Sequence, residues 1–386
     1  MSNETIQSLF NVRSHNPSFF AVKNSITNSG ELLDFCIPVN LHFPPPALLE
    51  MIHKQLGEIL RYYPDYAEGH QQHIAGITGL APETIVPCNG STEIITMLCR
   101  EAQGPILTSV PTFSRWTDLP EELHVPLYTI ARRPEKQFRL EVSEIVSRVR
   151  EVHARTLVIS NPNNPTGAWL TLDEIKTLAG ALEDLDAFIV DESFIDFSDL
   201  ETAATFAAQM SNLIVVKSMG KSIGWHGVRL GYAATEPRRA QGMRAGLPFW
   251  NINGLAGFVL KNMTGFKREY FASFAQVAAD RIYMTEQLAL LPGVNIYPSK
   301  ANFLFVELPD LVSGRRLRDR LLENHGLMVR ECSNKIGSSE QYLRLAVQGK
   351  TAVNKLVAAL RCELEHFAFS ETNFRRQQSP TLRLRH

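Results

Sequence analysis

Residues 80–235 of this 386-residue chain predict an α/β fold, a large and mostly parallel sheet between helices, and the residues beyond 255 predict a smaller α+β domain. Three observations carry this. Short apolar runs alternate with amphipathic segments through 80–235, and each run ends in a polar loop. After 255 a long helical stretch gives way to apolar runs at 301–306 and 341–347, with helices around them. The composition, 44% hydrophobic and 20% charged with 23 Gly and 21 Pro, is that of a globular chain with room for about two domains.

In chain order, residues 1–45 read as an arm packing on the small domain, with the prolines of His42-Phe-Pro-Pro-Pro46 as its stiff exit. Residues 46–255 form the large domain. Its buried strands are the runs 85–88, 106–110, 156–160, 187–190 and 213–216, and the loops after them are 89–93, 111–113, 161–167, 191–193 and 218–221. Ligands of open α/β sheets sit at the carboxyl ends of the strands, so these loops should converge on one crevice. Residues 256–366 form the small domain. Residues 367–386, with Arg375, Arg376, Arg383 and Arg385 among few apolar neighbours, read as a disordered tail.

Charge and cysteine usage exclude several classes. With 39 basic against 40 acidic residues the net charge is −1, which gives no electrostatic footprint for nucleic acid or an anionic membrane. An anionic substrate must be held by a few local cations. The five cysteines, Cys36, Cys88, Cys99, Cys332 and Cys362, are widely spaced without a Cys-x-x-Cys, so neither a disulfide framework nor a metal site is expected. No signal peptide and no apolar run of membrane-spanning length is visible, and the expected location is cytoplasmic.

The segment 218–231, Ser-Met-Gly-Lys-Ser-Ile-Gly-Trp-His-Gly-Val-Arg-Leu-Gly, places Lys221 three residues after Ser218 and Arg229 eight residues further on. Ser-x-x-Lys also marks penicillin-binding acyl transferases, but neither Ser-Asp-Asn nor Lys-Thr-Gly follows here. Five other motifs accompany it: Asn-Gly-Ser-Thr-Glu at 89–93, Pro-Asn-Asn-Pro-Thr-Gly at 162–167, Asp191-Glu192, Arg229, and Arg344 in Tyr-Leu-Arg-Leu-Ala. In this order and at strand ends they make residues 30–365 resemble the fold-type I pyridoxal-phosphate enzymes of the class I/II aminotransferase superfamily. That resemblance implies a large seven-stranded α/β/α domain and pyridoxal 5'-phosphate as cofactor.

It also implies roles that the chemistry explains. The coenzyme needs an amine for a Schiff base, which Lys221 supplies, with Lys217 as the fallback. Its pyridine nitrogen must stay protonated, which calls for Asp191 at the end of an apolar strand. Gly90, Ser91 and Thr92 open an amphipathic helix whose positive end suits the coenzyme phosphate, and Ser218 and Arg229 complete the cup. Gly220 stands where the family often has a hydroxyl residue. Asn164 matches the asparagine on the coenzyme's ring oxygen, and Phe113 the ring stacked on the pyridine. Tyr63 resembles the tyrosine that reaches the phosphate of a neighbouring subunit, which implies a homodimer with a shared active site.

Within the superfamily, Asp191-Glu-Ser-Phe-Ile-Asp-Phe197, Arg330-Glu-Cys-Ser-Asn334, Ala301-Asn-Phe303 and Leu247-Pro-Phe-Trp-Asn-Ile-Asn253 resemble threonine-phosphate decarboxylases and histidinol-phosphate aminotransferases. Arg330 and Arg344 match anion-binding arginines. Phe194 replaces a tyrosine common in aminotransferases, which points to the decarboxylase branch. His15 and Asn40 match substrate-binding positions of that branch, while Trp225 and His226 replace small residues between the lysine and the arginine. The expected activity is decarboxylation of a small phosphorylated amino acid such as O-phosphothreonine or O-phosphoserine. Its alternatives are an aminotransferase on an anionic amino acid, a β/γ-elimination or cyclisation enzyme, and a non-catalytic coenzyme-binding regulator.

Overall fold

The strand runs of the sequence are buried on both faces, as the interior of a layered α/β fold requires. A computed structural model of the protein describes residue 10, residues 18–25 and residues 32–378. His15, one of the expected substrate ligands, lies outside them. The strands are β1 (Leu33–Asp34), β2 (Ile85–Cys88), β3 (Ile106–Val110), β4 (Leu127–Ala131), β5 (Thr156–Ser160), β6 (Ala187–Asp191), β7 (Leu213–Lys217) and β8 (Gly231–Thr235). After these come β9 (Asn295–Tyr297), β10 (Phe303–Glu307), β11 (Leu327–Met328), β12 (Arg330–Glu331) and β13 (Tyr342–Ala346).

Seven of them form one sheet in the order β2-β8-β7-β6-β5-β3-β4. All its pairings are parallel except those of β8, which runs antiparallel to β2 and β7. Alternate residues serve two helical layers: Leu157, Ile159, Phe188, Val190, Leu213 and Val215 pack into one core, and Val158, Ile189, Ile214 and Val216 into the other. β4 and β8 are not among the apolar runs. β4 is a half-exposed edge strand, and β8 reads Gly-Tyr-Ala-Ala-Thr, poor in the β-branched residues that mark strands. Its pairing with two neighbours decides its state.

A second sheet, β12-β13-β10-β9, is antiparallel and carries its own core of Phe303, Val306, Leu343 and Leu345. The arm reaches it: β1 pairs in parallel with β11, and Phe35 is fully buried in the same core. The large-domain core continues past residue 255, because helix Gly254–Met263 buries Val259, Leu260 and Met263 there. Helix Lys267–Leu288 joins the two bodies, with Tyr270 in the first core and Val277, Met284 and Leu288 in the second.

The last helix runs Lys350–Gln378, through residues read from sequence as disordered. Leu360, Leu364 and Phe367 pack on the small-domain core, and Arg316 lies over the Phe367 ring at 5.6 Å. A helix anchored that far extends at little cost per residue.

Candidate active site

The carboxyl ends of β3, β5, β6 and β7 open onto one cleft lined by Phe113, Ser160, Pro162, Asn164, Asp191, Ser193, Phe194 and Lys221. Five residues expected from sequence to meet the coenzyme thus share one cavity.

Lys221 sits on the one-turn helix Met219–Ser222 just after β7. Burial pushes its amine down to about 8; Asp191 opposes the shift, and Arg229 and Arg344 add to it. Its Nζ lies 4.9 Å from the centre of the Phe194 ring. Lys217, the fallback, is unsuited: it is buried and paired with Asp196 at 2.5 Å, and despite burial its pKa is raised by Asp196, Tyr232 and Glu192. A lysine held as an ammonium by a carboxylate is a poor nucleophile.

Asp191 ends β6 and is 4% exposed. Its Oδ2 accepts the indole N–H of Trp116 at 2.8 Å and its Oδ1 the backbone N–H of Ser193 at 3.1 Å. Trp116 escaped the sequence reading. The one signal for it is that a fully buried tryptophan needs an acceptor for its N–H.

The cup expected from sequence to hold the coenzyme phosphate is built by close approach. Gly90, at φ 77°, caps the helix Ser91–Glu101, and a Cβ there would lie 2.5 Å from Nη2 of Arg229. Only glycine lets the guanidinium lie against the helix start. Arg229 is itself held at φ 60°, a conformation rare for a side-chain-bearing residue and concentrated at functional sites. A Cβ on Gly231 would stand 2.9 Å from the backbone N of Ser91, so β8 brings Arg229 onto that end of the helix. Ser218 caps the lysine helix without a side-chain bond to it. Asn251 and Asn253, also missed as functional residues, brace the cup: Asn251 donates to Glu93 at 2.8 Å, and Asn253 to Asn89 Oδ1 at 3.2 Å and Val228 O at 3.0 Å.

His226 has a buried Nδ1 with no partner among the described residues, and burial, Lys221, Arg229 and Arg344 push its pKa down to about 3. It is a neutral imidazole. Trp225 packs against the large-domain core. Asn40, expected to bind substrate, is instead engaged within the fold. Its amide donates to Ser222 O at 2.9 Å and Ser273 Oγ at 2.7 Å, its oxygen accepts from His42 N, and its backbone N–H donates to Lys221 O. It positions the lysine segment. Tyr63 is 80% exposed and stacks on Trp250 at 4.7 Å, and it is not among the residues lining the cleft.

On the small domain, Arg330 of β12 and Arg344 of β13 are register partners, so both side chains leave the same face. Both are buried. Arg344 donates to Asn164 Oδ1 at 2.8 Å and Cys36 O at 2.5 Å, and Arg330 to Glu331 O at 2.6 Å and Asn334 Oδ1 at 2.7 Å. A guanidinium only donates, so its bond to Asn164 fixes that amide with the NH2 left over for the cleft. Burial, with Arg330 beside it, pushes Arg344 down to about 10, and its Nε has no partner among the described residues.

The donor set fits a phosphorylated pyridine aldehyde: a depressed lysine, a buried carboxylate, a glycine cradle under an arginine, and an amide NH2. The chain matches the aminotransferase class I and II family over residues 31–360. It belongs to that family. The cofactor is therefore pyridoxal 5'-phosphate. Among curated relatives, the chain is 33% identical over 335 residues to the CMP-5'-(3-aminopropyl)phosphonate synthase of Streptomyces rubellomurinus, covering 86% of this chain and 52% of that protein. It is 29% identical over 371 residues to the L-serine phosphate decarboxylase of Sulfurospirillum multivorans, 92% of this chain and 94% of that one. The chain thus spans about half the length of the first and nearly all of the second. A decarboxylase structure from Sulfurospirillum multivorans superposes with a TM-score of 0.85 at 27% identity, covering 94% of this chain and 95% of that chain.

Proposed function

We propose that the protein decarboxylates a small phosphorylated amino acid of the O-phosphoserine or O-phosphothreonine type. The observation that carries this is the register pair Arg330 and Arg344. Two buried like charges directly opposite each other are destabilising unless an anion lies between them. The whole-length likeness to an L-serine phosphate decarboxylase supports a phosphate as that anion.

Bound at this site, the coenzyme supplies an electron sink for the bond at Cα that stands perpendicular to its ring. Ser91, Thr92, Ser218 and Arg229 would hold its phosphate, Asp191 its ring nitrogen, Asn164 its ring oxygen and Phe113 its face. Trp116 keeps Asp191 aimed. Phe194 has no hydroxyl and stacks edge-on against Phe303 at 4.9 Å, so it offers an apolar wall where a departing carboxylate loses its hydration. With Arg330 and Arg344 occupied by the distal phosphate, the α-carboxylate would be held by neither guanidinium and could depart as carbon dioxide. Lys221 Nζ, with its pKa lowered to about 8 and so still mostly protonated at pH 7, would then supply the proton that replaces it at Cα.

The second reading is transamination, favoured by the Arg344–Asn164 bond, which sets an arginine where it could hold an α-carboxylate in the ring plane. One incubation separates the two. The coenzyme-loaded protein is given O-phospho-L-serine or O-phospho-L-threonine without a keto acid, and product masses are followed. Multiple turnovers to the corresponding amine and carbon dioxide are expected; a single stoichiometric conversion to a keto acid would establish the aminotransferase instead.

The working form we propose is a cytoplasmic homodimer, with Tyr63 reaching the coenzyme phosphate of the other subunit and His15 joining the substrate ligands. Tyr63, Tyr66, Phe249 and Trp250 make one exposed aromatic patch, larger than scattered surface residues require. No helix among the described residues is long and apolar enough to cross a membrane.

A further inference from the structure

A third cation stands beside the arginine pair. Lys335, on the turn after β12, is 5% exposed. Its ammonium donates to Thr112 O at 2.9 Å and Ser114 Oγ at 3.3 Å, on the large-domain loop that carries Phe113. Gly337 in the same turn, at φ 77°, brings the chain so near that loop that a Cβ would meet Val110 Cγ2 at 3.3 Å. Both acceptors of Lys335 are uncharged, and one of its three hydrogens is left over. The acceptors of Arg330 and Arg344 are uncharged as well.

Asp34 faces Arg344 and Asp118 faces Lys335, both beyond ion-pair distance, so burying three cations whose hydrogen-bond acceptors are neutral costs free energy that a bound anion offsets. Burial, then Arg330 and Arg344, push the amine of Lys335 down to about 7, while Cys332 and Asp118 pull the other way. The charge also discriminates. A phosphate of roughly −1.5 to −2 carries more charge at that site than the single distal carboxylate of an acidic amino acid, so a third cation favours the phosphate.

We infer that Lys335 is a specificity-determining residue, the third cation of the substrate-anion site, held by Thr112 and Ser114 so that both domains present one face to a phosphate dianion. The inference rests on the proposed reading of the arginine pair, and it makes Lys335 the group that favours phosphorylated over merely carboxylated substrates.

Sulfate is the probe, since it remains a dianion across the accessible range and any pH dependence then belongs to the protein. Calorimetric titration of sulfate into the coenzyme-loaded protein should give an affinity that falls, by up to about tenfold per unit, as pH rises through about 7 and the amine loses its proton. Lys335→Gln, which keeps a donor but no charge, should weaken sulfate binding by about tenfold or more at the acid end and flatten the profile. Lys335→Arg should keep the affinity and lose the pH dependence. Wild-type affinity and slope in Lys335→Gln, or an unchanged slope in Lys335→Arg, would overturn the inference. Turnover of O-phospho-L-serine is a separate readout: sulfate binding that depends on Lys335 without turnover removes the decarboxylase reading alone, and turnover with sulfate binding indifferent to Lys335 removes this inference alone.

Discussion

Lys217 and Lys221 stand four positions apart, the first buried and the second partly so, and their surroundings drive them in opposite directions. Asp196 locks the first as an ammonium, whereas Arg229 and Arg344 help burial to lower the pKa of the second. With a pKa of about 8, about a tenth of Lys221 is the free amine at pH 7, against about one part in three thousand for an ordinary lysine. Coenzyme uptake by the coenzyme-free protein, followed by absorbance, should therefore accelerate with pH and level off above about 8. A rate that keeps climbing past about 10 would mean an unshifted lysine. Lys221→Ala should bind the coenzyme non-covalently and lose all turnover. Trp116→Phe removes the indole donor from a buried carboxylate and should cost about 1.5–3 kcal/mol in coenzyme binding; an unchanged dissociation constant would leave Trp116 a packing residue only.

At the scale of elements, the site is made by strand exits and helix starts that lie far apart in sequence. Lys221, Asp191, Asn164 and the helix start at Ser91 were legible because each ends or follows an apolar run with a motif of its own. Trp116 and Lys335 were not, since their meaning comes from partners that the sequence does not place beside them: Asp191 lies 75 positions from Trp116, and Thr112 lies 223 from Lys335. β8 was illegible for the same reason, being a weak strand made secure by β2 and β7, yet it delivers Arg229. The cup it closes is testable at Gly90. Gly90→Ala sets a Cβ 2.5 Å from the Arg229 guanidinium at φ 77°, and must move one of them. About 1–2 kcal/mol of backbone strain is expected, with a coenzyme affinity reduced by about tenfold or more in equilibrium titration. Wild-type affinity in this variant would show that Arg229 does not lean on the helix start to hold the phosphate.

At the scale of the molecule, the cleft is lined by large-domain residues, with Arg344 of the small domain bonded to Asn164 among them, and Tyr63 is not part of that lining; its ring lies exposed on Trp250 at the protein surface. If that tyrosine serves a neighbouring subunit, each site of a homodimer takes Lys221 from one chain and Tyr63 from the other. Inactive Lys221→Ala and impaired Tyr63→Phe proteins, dissociated together and reassociated, then form mixed dimers with one site lacking both groups and one site complete. Random pairing makes half the dimers mixed, so about a quarter of all sites should regain full function. Turnover of the mixture should exceed the mean of the two parent proteins by about a quarter of the difference between wild-type and Tyr63→Phe turnover, and the excess should vanish when Phe249→Asp in both chains breaks the aromatic patch. If Tyr63 acts within its own chain, mixing yields no complete site that was not already present, and turnover stays at the mean. The measurement thus separates a shared site from two independent sites that happen to be joined.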